Sequence, residues 1–230
     1  MNDRPMIDPK ELIARRVALE LHDRTLVNLG IGLPTLVARY VPAGISIAFQ
    51  SENGIIGLGA PPPHGMEDPD LTDAGGGFIS ALPGAASFDS ATSFALIRGG
   101  HLAVTVLGGL QVDANGHLAN WMVPGKMVPG MGGAMDLVAG AKRVIVAMQH
   151  AARGEPKIVK ELNLPPTSAR PVSLVVTDMA VIRPTVDGLM LTERAPGVSV
   201  EEIVAATGAP LLIIGDIPEM PVAISEREKA

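Results

Sequence analysis

One stretch limits what this chain can become more than any other: Ile45-Ser46-Ile47-Ala48-Phe49, followed at once by Gln50-Ser51-Glu52-Asn53-Gly54. The first five residues have the β-branched and aromatic character of a buried strand. They give way abruptly to polar residues and a glycine, the grammar of a strand that delivers a side chain at its carboxyl end and then turns. Ligands of open α/β sheets bind outside the carboxyl ends of strands. A carboxylate there, at Glu52, is a binding group, a general base or a nucleophile. The same letters also spell an ordinary turn, because Asn-Gly favours one wherever it occurs. Local spacing leaves the two readings open.

The rest of the chain alternates helical and strand patterns. Asp8-Pro9-Lys10-Glu11 has an N-cap, a proline at the first helical position and a glutamate at the third, and predicts an amphipathic helix to about His22. A strand is expected over Thr25 to Leu29, with Asn28 at its end. Gly30-Ile31-Gly32-Leu33-Pro34 follows it and leads into a helix over Thr35 to Tyr40. A dinucleotide fingerprint would need a third glycine and an acidic ribose partner, which are not evident. A close backbone approach beside a binding site is the alternative.

The segment from Gly57 to Gly77 is rich in proline and glycine and predicts a long loop. A strand over Phe78 to Leu82, a turn at Pro83-Gly84, and a capped helix to Arg98 come next. His101 to Leu107 reads as another strand. Asn115-Gly116 and Asp187-Gly188 each predict a hairpin. Trp121, the only tryptophan, either stacks on an adenine or anchors its hairpin. Lys142 to Met148, Ser173 to Thr177, Ala180 to Ile182, Leu189 to Leu191 and Leu211 to Ile214 are further apolar runs. Lys157, Lys160 and Glu161 are expected on a solvated stretch. Ser199-Val200-Glu201-Glu202 is a capping box.

A second informative stretch is Gly130-Met131-Gly132-Gly133-Ala134-Met135-Asp136-Leu137, where glycines precede a helical pattern. Backbone N–H groups at such a start suit an anion or an oxyanion, or the glycines serve tight packing. Lys126 is the nearest cation, either meeting a phosphate or lying exposed in a loop.

Residue identity goes further than spacing. Phe49 to Gly57, with Ser51-Glu52-Asn53-Gly54 at its centre, resembles the glutamate signature of the family I CoA-transferases of beta-subunit type. These are the succinyl-CoA:3-oxoacid and 3-oxoadipate enzymes and their acetate and butyrate relatives. The stretch from Pro124 to Leu137 resembles that family's second glycine-rich signature. The resemblance runs from about Lys10 to Met220 and is densest over Val27 to Pro34, Phe49 to Gly59 and Gly99 to Val138. One departure stands out: many members carry a lysine in an Ala-Gly-Lys sequence after the long loop, whereas this chain reads Ala74-Gly75-Gly76.

The resemblance implies an α/β fold of three layers, α/β/α, with a largely parallel central sheet and hairpin additions. It covers one domain over 1–230, with frayed tails at 1–7 and 222–230. It implies a covalent glutamyl-CoA thioester at Glu52, with Gly133 at the thioester oxygen. Asn28, Ser51, Asn53, Gly54, Gly132 and Lys126 are the candidate substrate and CoA contacts, with Ser51 and Asn53 expected to orient the carboxylate. The substrates implied are an acyl-CoA, such as succinyl-CoA or acetyl-CoA, and a short-chain or 3-oxo carboxylic acid. CoA is then a substrate, and no cofactor is needed. An alpha subunit is the implied partner, in an α2β2 assembly. Hydrolysis of acyl-CoA on the same scaffold, a silent CoA-binding subunit and a generic nucleotide-binding domain are the competing readings.

Composition narrows the classes. Net charge is −6 with no basic cluster, which argues against nucleic acid. The chain has no cysteine, and its five histidines are scattered, so no metal site is expected. The five are instead expected on surfaces or satisfying a backbone group. No secretory signal or membrane span is read, and a cytoplasmic location is expected. Hydrophobic residues make up 47% but aromatic ones only 3%, which predicts an aliphatic core.

Overall fold

The structure is a computed structural model that describes residues 7–122, 125 and 132–223. Lys126 and the two tails, apart from residues 7, 222 and 223, lie outside the described residues. In chain order the elements are α1 (Pro9–Ala18), β1 (Thr25–Leu29), a 3-10 helix (Leu33–Tyr40), β2 (Ile47–Ser51), β3 (Ile55–Leu58) and β4 (Ala81–Ser87). There follow α2 (Ser90–Arg98), β5 (Val104–Leu107), β6 (Gln111–Asp113), β7 (Leu118–Ala119), α3 (Ala134–Gly140) and β8 (Arg143–Ala147). The last are β9 (Ala151–Ala152), β10 (Glu155–Pro156), β11 (Ile158–Val159), β12 (Leu174–Val176), β13 (Ala180–Thr185), β14 (Gly188–Arg194), α4 (Val200–Ala206) and β15 (Leu211–Leu212).

Among the described residues, ten strands form one sheet in the order β15-β14-β13-β12-β8-β5-β1-β2-β3-β4. Its centre, β12-β8-β5-β1-β2, is parallel throughout. Antiparallel pairs flank it on both sides, β12 with β13 and β2 with β3. All four residues of β5 and all three of β12 are buried. Unbroken burial of this kind means that both faces of the sheet are covered. The connection from β1 through the 3-10 helix to β2 steps one way across the sheet, and that from β5 through α3 to β8 steps the other. Right-handed crossovers therefore place these helices on opposite faces. α1 packs with the 3-10 helix, and α2 packs with α3. The direction reverses between β1 and β5, so the crevice at their carboxyl ends is the switch point where such sheets bind ligands.

Local chemistry accounts for most boundaries. The Asp8 side chain accepts from the N–H groups of Lys10 at 2.8 Å and Glu11 at 3.2 Å. Ser199 and Glu202 form the expected capping box. Both expected hairpins are present, β6 with β7 and β13 with β14. α1 ends at Ala18 rather than His22, because its last turn tightens: Glu20 N–H bonds to the Val17 carbonyl at 2.9 Å.

Three expectations give way to tertiary context. Pro83-Gly84 predicts a turn, and β4 instead spans both residues with a bulge: its pairing with β3 shifts register between Ala81, opposite Leu58, and Ala86, opposite Ile56, and Gly84 has φ +88°. As the edge strand it needs no ladder bond from the missing Pro83 N–H on its outer side. The helix over Thr35 to Tyr40 starts earlier, at Leu33, and is 3-10 in type. The stretch around Lys157 is solvated only in part: Lys160 and Glu161 are exposed as expected, and Lys157 is not. β11 lies parallel to β6, Ile158 is buried, and Lys157 is half-buried, its N–H bonded to the His150 carbonyl at 3.0 Å.

Candidate active site

Glu52 lies in the turn that joins β2 to β3, with Gly54 N–H bonded to the Ser51 carbonyl at 3.0 Å. The turn and the delivered carboxylate are thus the same feature. Gly54 has φ +126°, and a Cβ there would run into the Phe88 carbonyl oxygen. Only glycine fits that combination of backbone angle and close approach.

Behind Glu52 stands a buried polar network. Asn28, near the end of β1, is fully buried, and its Nδ2 donates to Glu52 Oε2 at 3.0 Å. The same Nδ2 reaches the Gln50 carbonyl at 3.2 Å and Gln50 Oε1 at 3.1 Å. Gln50 Nε2 donates to Ser93 Oγ at 2.8 Å, and the Thr105 hydroxyl donates to Asn28 Oδ1 at 3.1 Å. The Gln50 carbonyl and the Glu52 carboxylate can only accept, so the NH2 side of the Asn28 amide must face them, and Oδ1 is left to accept from Thr105. Burial without partners would cost each of these groups a few kcal/mol. Here every buried side-chain polar atom among the described residues has a partner.

Gly133 caps α3 on the other side of the carboxylate. A Cβ built on it would sit 3.3 Å from Glu52 Cγ and 3.2 Å from Phe94 Cζ. The glycine backbone therefore packs directly against the glutamate side chain, with no room to spare. α2 and α3 are held together here by Arg98, whose Nε meets Asp136 Oδ1 at 2.6 Å and whose guanidinium lies 5.7 Å from the Phe94 ring. Gly132 precedes it, exposed and at φ +56°.

Ser51 and Asn53 turn away from Glu52. Ser51 Oγ accepts from Ala74 N–H at 2.9 Å, and Asn53 Nδ2 donates to the Thr72 carbonyl at 2.7 Å. They pin the long loop to the site, and the orienting contact to Glu52 comes from Asn28 instead. The loop keeps its shape through Asp73, whose Oδ1 accepts from the N–H groups of Gly75 at 2.8 Å and Gly77 at 2.9 Å. Gly76, the position of the family's usual lysine, sits between them at φ +78°. Trp121 donates from Nε1 to the Pro166 carbonyl at 3.3 Å. Ser93 and Thr105 belong to no short motif that the sequence singles out, and Gln50, though inside the glutamate signature, is given no role by it. Their signal is a polar residue inside an apolar strand or helix.

The combination that decides the matter is a glutamate held by a buried asparagine at a strand end, facing a glycine helix start. The coenzyme A transferase family matches residues 10–206. The chain belongs to that family. It is 55% identical over 213 residues to the beta chain of the acetate CoA-transferase of Escherichia coli K12, covering 92% of this chain and 97% of that one. It is 51% identical over 201 residues to the equivalent chain of the succinyl-CoA:3-ketoacid coenzyme A transferase of Helicobacter pylori strain 26695, covering 87% and 97%. A solved acyl-CoA transferase of Escherichia coli O157:H7 has the same fold, with a TM-score of 0.73 at 24% identity. That match covers 95% of this chain but 44% of the solved one, so the CoA-transferase fold here spans less than half of that longer protein.

Proposed function

We propose that this chain is the nucleophile-bearing subunit of a CoA-transferase and that Glu52 carries CoA as a thioester. The observation that supports it most is the Asn28–Glu52 contact at 3.0 Å opposite Gly133. Asn28 holds Oε2, while Oε1 makes no hydrogen bond to any described residue and is the oxygen poised to attack. It adds to the carbonyl carbon of an acyl-CoA and the C–S bond breaks, giving a mixed anhydride and a CoA thiolate. The thiolate attacks Glu52 Cδ and releases the donor acid as its carboxylate. The resulting glutamyl-CoA thioester then runs the same steps in reverse with the acceptor acid. Dividing one difficult exchange between covalent steps is what nucleophilic catalysis achieves. The Gly133 N–H is assigned to the thioester oxygen, where a prepositioned donor stabilises developing charge.

The chemistry needs no metal or redox cofactor, and CoA enters as a substrate. The donors are short acyl-CoAs such as acetyl-CoA or succinyl-CoA, and the acceptors short-chain or 3-oxo acids, as the names of the relatives suggest. An alpha subunit completes the site in an α2β2 assembly. Glu52 is half-buried in the isolated chain, and its anhydride would hydrolyse unless a partner excluded water. No helix among the described residues is long and apolar enough to cross a membrane, and we assign the complex to the cytoplasm.

The test is intact mass after mixing the co-purified complex with acetoacetyl-CoA or succinyl-CoA and quenching quickly. A CoA-sized adduct on this chain that vanishes in Glu52→Ala supports the reading. An unmodified chain after every donor overturns it. Turnover that proceeds without any acceptor acid makes the protein a hydrolase.

A further inference from the structure

A second feature of the same sheet edge has no place in the chemistry above. At the carboxyl ends of β1, β5 and β8 lies a cavity of about 210 Å³, lined by Lys10, Ile31, Leu33, Pro34, Gly108, Gly109, Ala147, Met148, Gln149 and Lys157. Its two ionisable groups are both lysines. Neither forms an ion pair with any described residue. Lys10 projects from the exposed first turn of α1. Lys157 is half-buried, and its pKa is pulled below the usual lysine range by desolvation, with Asp178 opposing the shift. Asp178, whose Oδ1 accepts from His150 N–H at 2.7 Å, acts on Lys157 only from beyond ion-pair distance.

A partly desolvated ammonium with no ion-pair partner in contact is costly, and the cost falls when an anion arrives. The walls suit one. Gly108 presents bare backbone, with open space where a Cβ would stand, and Gln149 offers an exposed amide. Gly109 is required by packing, since a Cβ would press on Met148 Sδ at 2.7 Å.

We propose that Lys10 and Lys157 form an oxyanion subsite for the phosphate groups of CoA. The proposal rests on the transferase reading. Phosphate and carboxylate share the needed chemistry, and position separates them. Glu52 follows β2, and Lys157 lies beyond the end of β8, three strands away in the sheet order. At the usual spacing between strands that is about 14 Å. The carboxylate of a short acid whose carbonyl is at Glu52 does not reach so far. A phosphate carried on the pantetheine arm does.

The experiment is calorimetric titration of the full-length chain in its complex, with CoA, pantetheine and succinate as separate ligands. Lys157→Met and Lys10→Met should each weaken CoA on the order of tenfold, as loss of one charge-assisted contact does, and leave pantetheine unchanged. Lys157→Arg should retain most of the CoA affinity. Weakening of succinate with CoA unaffected would overturn the phosphate assignment and give the cavity to the acid. No change for either ligand, in either lysine variant, would remove the subsite altogether. Lys10 lies on an exposed turn, so its variant reports even if Lys157→Met folds poorly. Because free CoA binding involves no chemistry at Glu52, loss of the mass adduct and loss of this effect are separate results.

Discussion

Two polar clusters sit along the same edge of the sheet, and they end differently. At β5, β1 and β2, Thr105, Asn28 and Gln50 form a buried network that terminates in the half-exposed carboxylate of Glu52. At β8 and β12, His150 is wholly buried between two hydroxyls, with Nδ1 at 2.9 Å from Thr177 Oγ1 and Nε2 at 2.9 Å from Thr207 Oγ1. The Thr207 hydroxyl is held by the Ile203 carbonyl at 2.6 Å, so it accepts from the ring, and Nε2 carries the hydrogen. The Thr177 hydroxyl lies within hydrogen-bond distance of both Nδ1, at 2.9 Å, and the Ala180 carbonyl, at 3.1 Å. Every valence of this imidazole is used internally. Buried polarity alone therefore does not mark chemistry: the first cluster spends its bonds on aiming an open group, and the second spends them on itself.

The comparison breaks most sharply at Glu52. Glu52→Ala should abolish the CoA adduct and lower turnover by more than about 10³-fold, as loss of a covalent nucleophile does, with the thermal midpoint close to wild type. Gly133→Ala comes next. Its methyl must displace Glu52 Cγ or the Phe94 ring, and a misplacement of this size at a reacting group costs on the order of 10²-fold in kcat. Single-turnover kinetics would read it.

At the other cluster the effects should move from rate to stability. His150→Ala leaves two threonine hydroxyls without their ring partner, and we expect a loss of about 2 kcal/mol in denaturant titration. Steady-state kinetics at low temperature should stay unchanged. Burial holds the His150 pKa down to about 4 from an ordinary 6.5. The unfolded chain therefore binds the proton first as pH falls. Stability contributed by the neutral ring is complete above 6.5 and drains away towards 4, by up to about 3 kcal/mol. That slope should vanish in His150→Ala. If Glu52→Ala shifted the thermal midpoint more than His150→Ala, the contrast between the clusters would fail.

The smallest effect sharpens the first cluster. Thr105→Val removes the hydroxyl that donates to Asn28 Oδ1, leaving that buried oxygen unpaired and the amide less firmly held. We expect a drop of about tenfold in kcat with little change in KM, since Thr105 only positions Asn28. Thr105→Ser should restore it. A loss in KM alone would mean that the network serves binding.

The outline of the fold was legible in the letters themselves. Strand runs, helix caps at Asp8 and Ser199, and hairpins at Asn115-Gly116 and Asp187-Gly188 follow from energies set within a few residues, so neighbours in sequence suffice to read them. Glu52 was legible for a similar reason, since the strand before it and the Asn-Gly turn after it are both local. Only the tertiary structure decided the rest. Asn28, Gln50, Ser93 and Thr105 meet because β1 lies between β2 and β5 and α2 packs close by, and no local pattern encodes that adjacency. That Pro83-Gly84 becomes a bulge within β4 and not a chain reversal depends on the place of β4 at the sheet edge. The burial of His150 and Lys157 depends on β8, β11 and β12 closing around them. Whether a polar side chain becomes a reactive group, a sealed strut or a waiting cation is fixed by what surrounds it, and those surroundings come from residues far away in the chain.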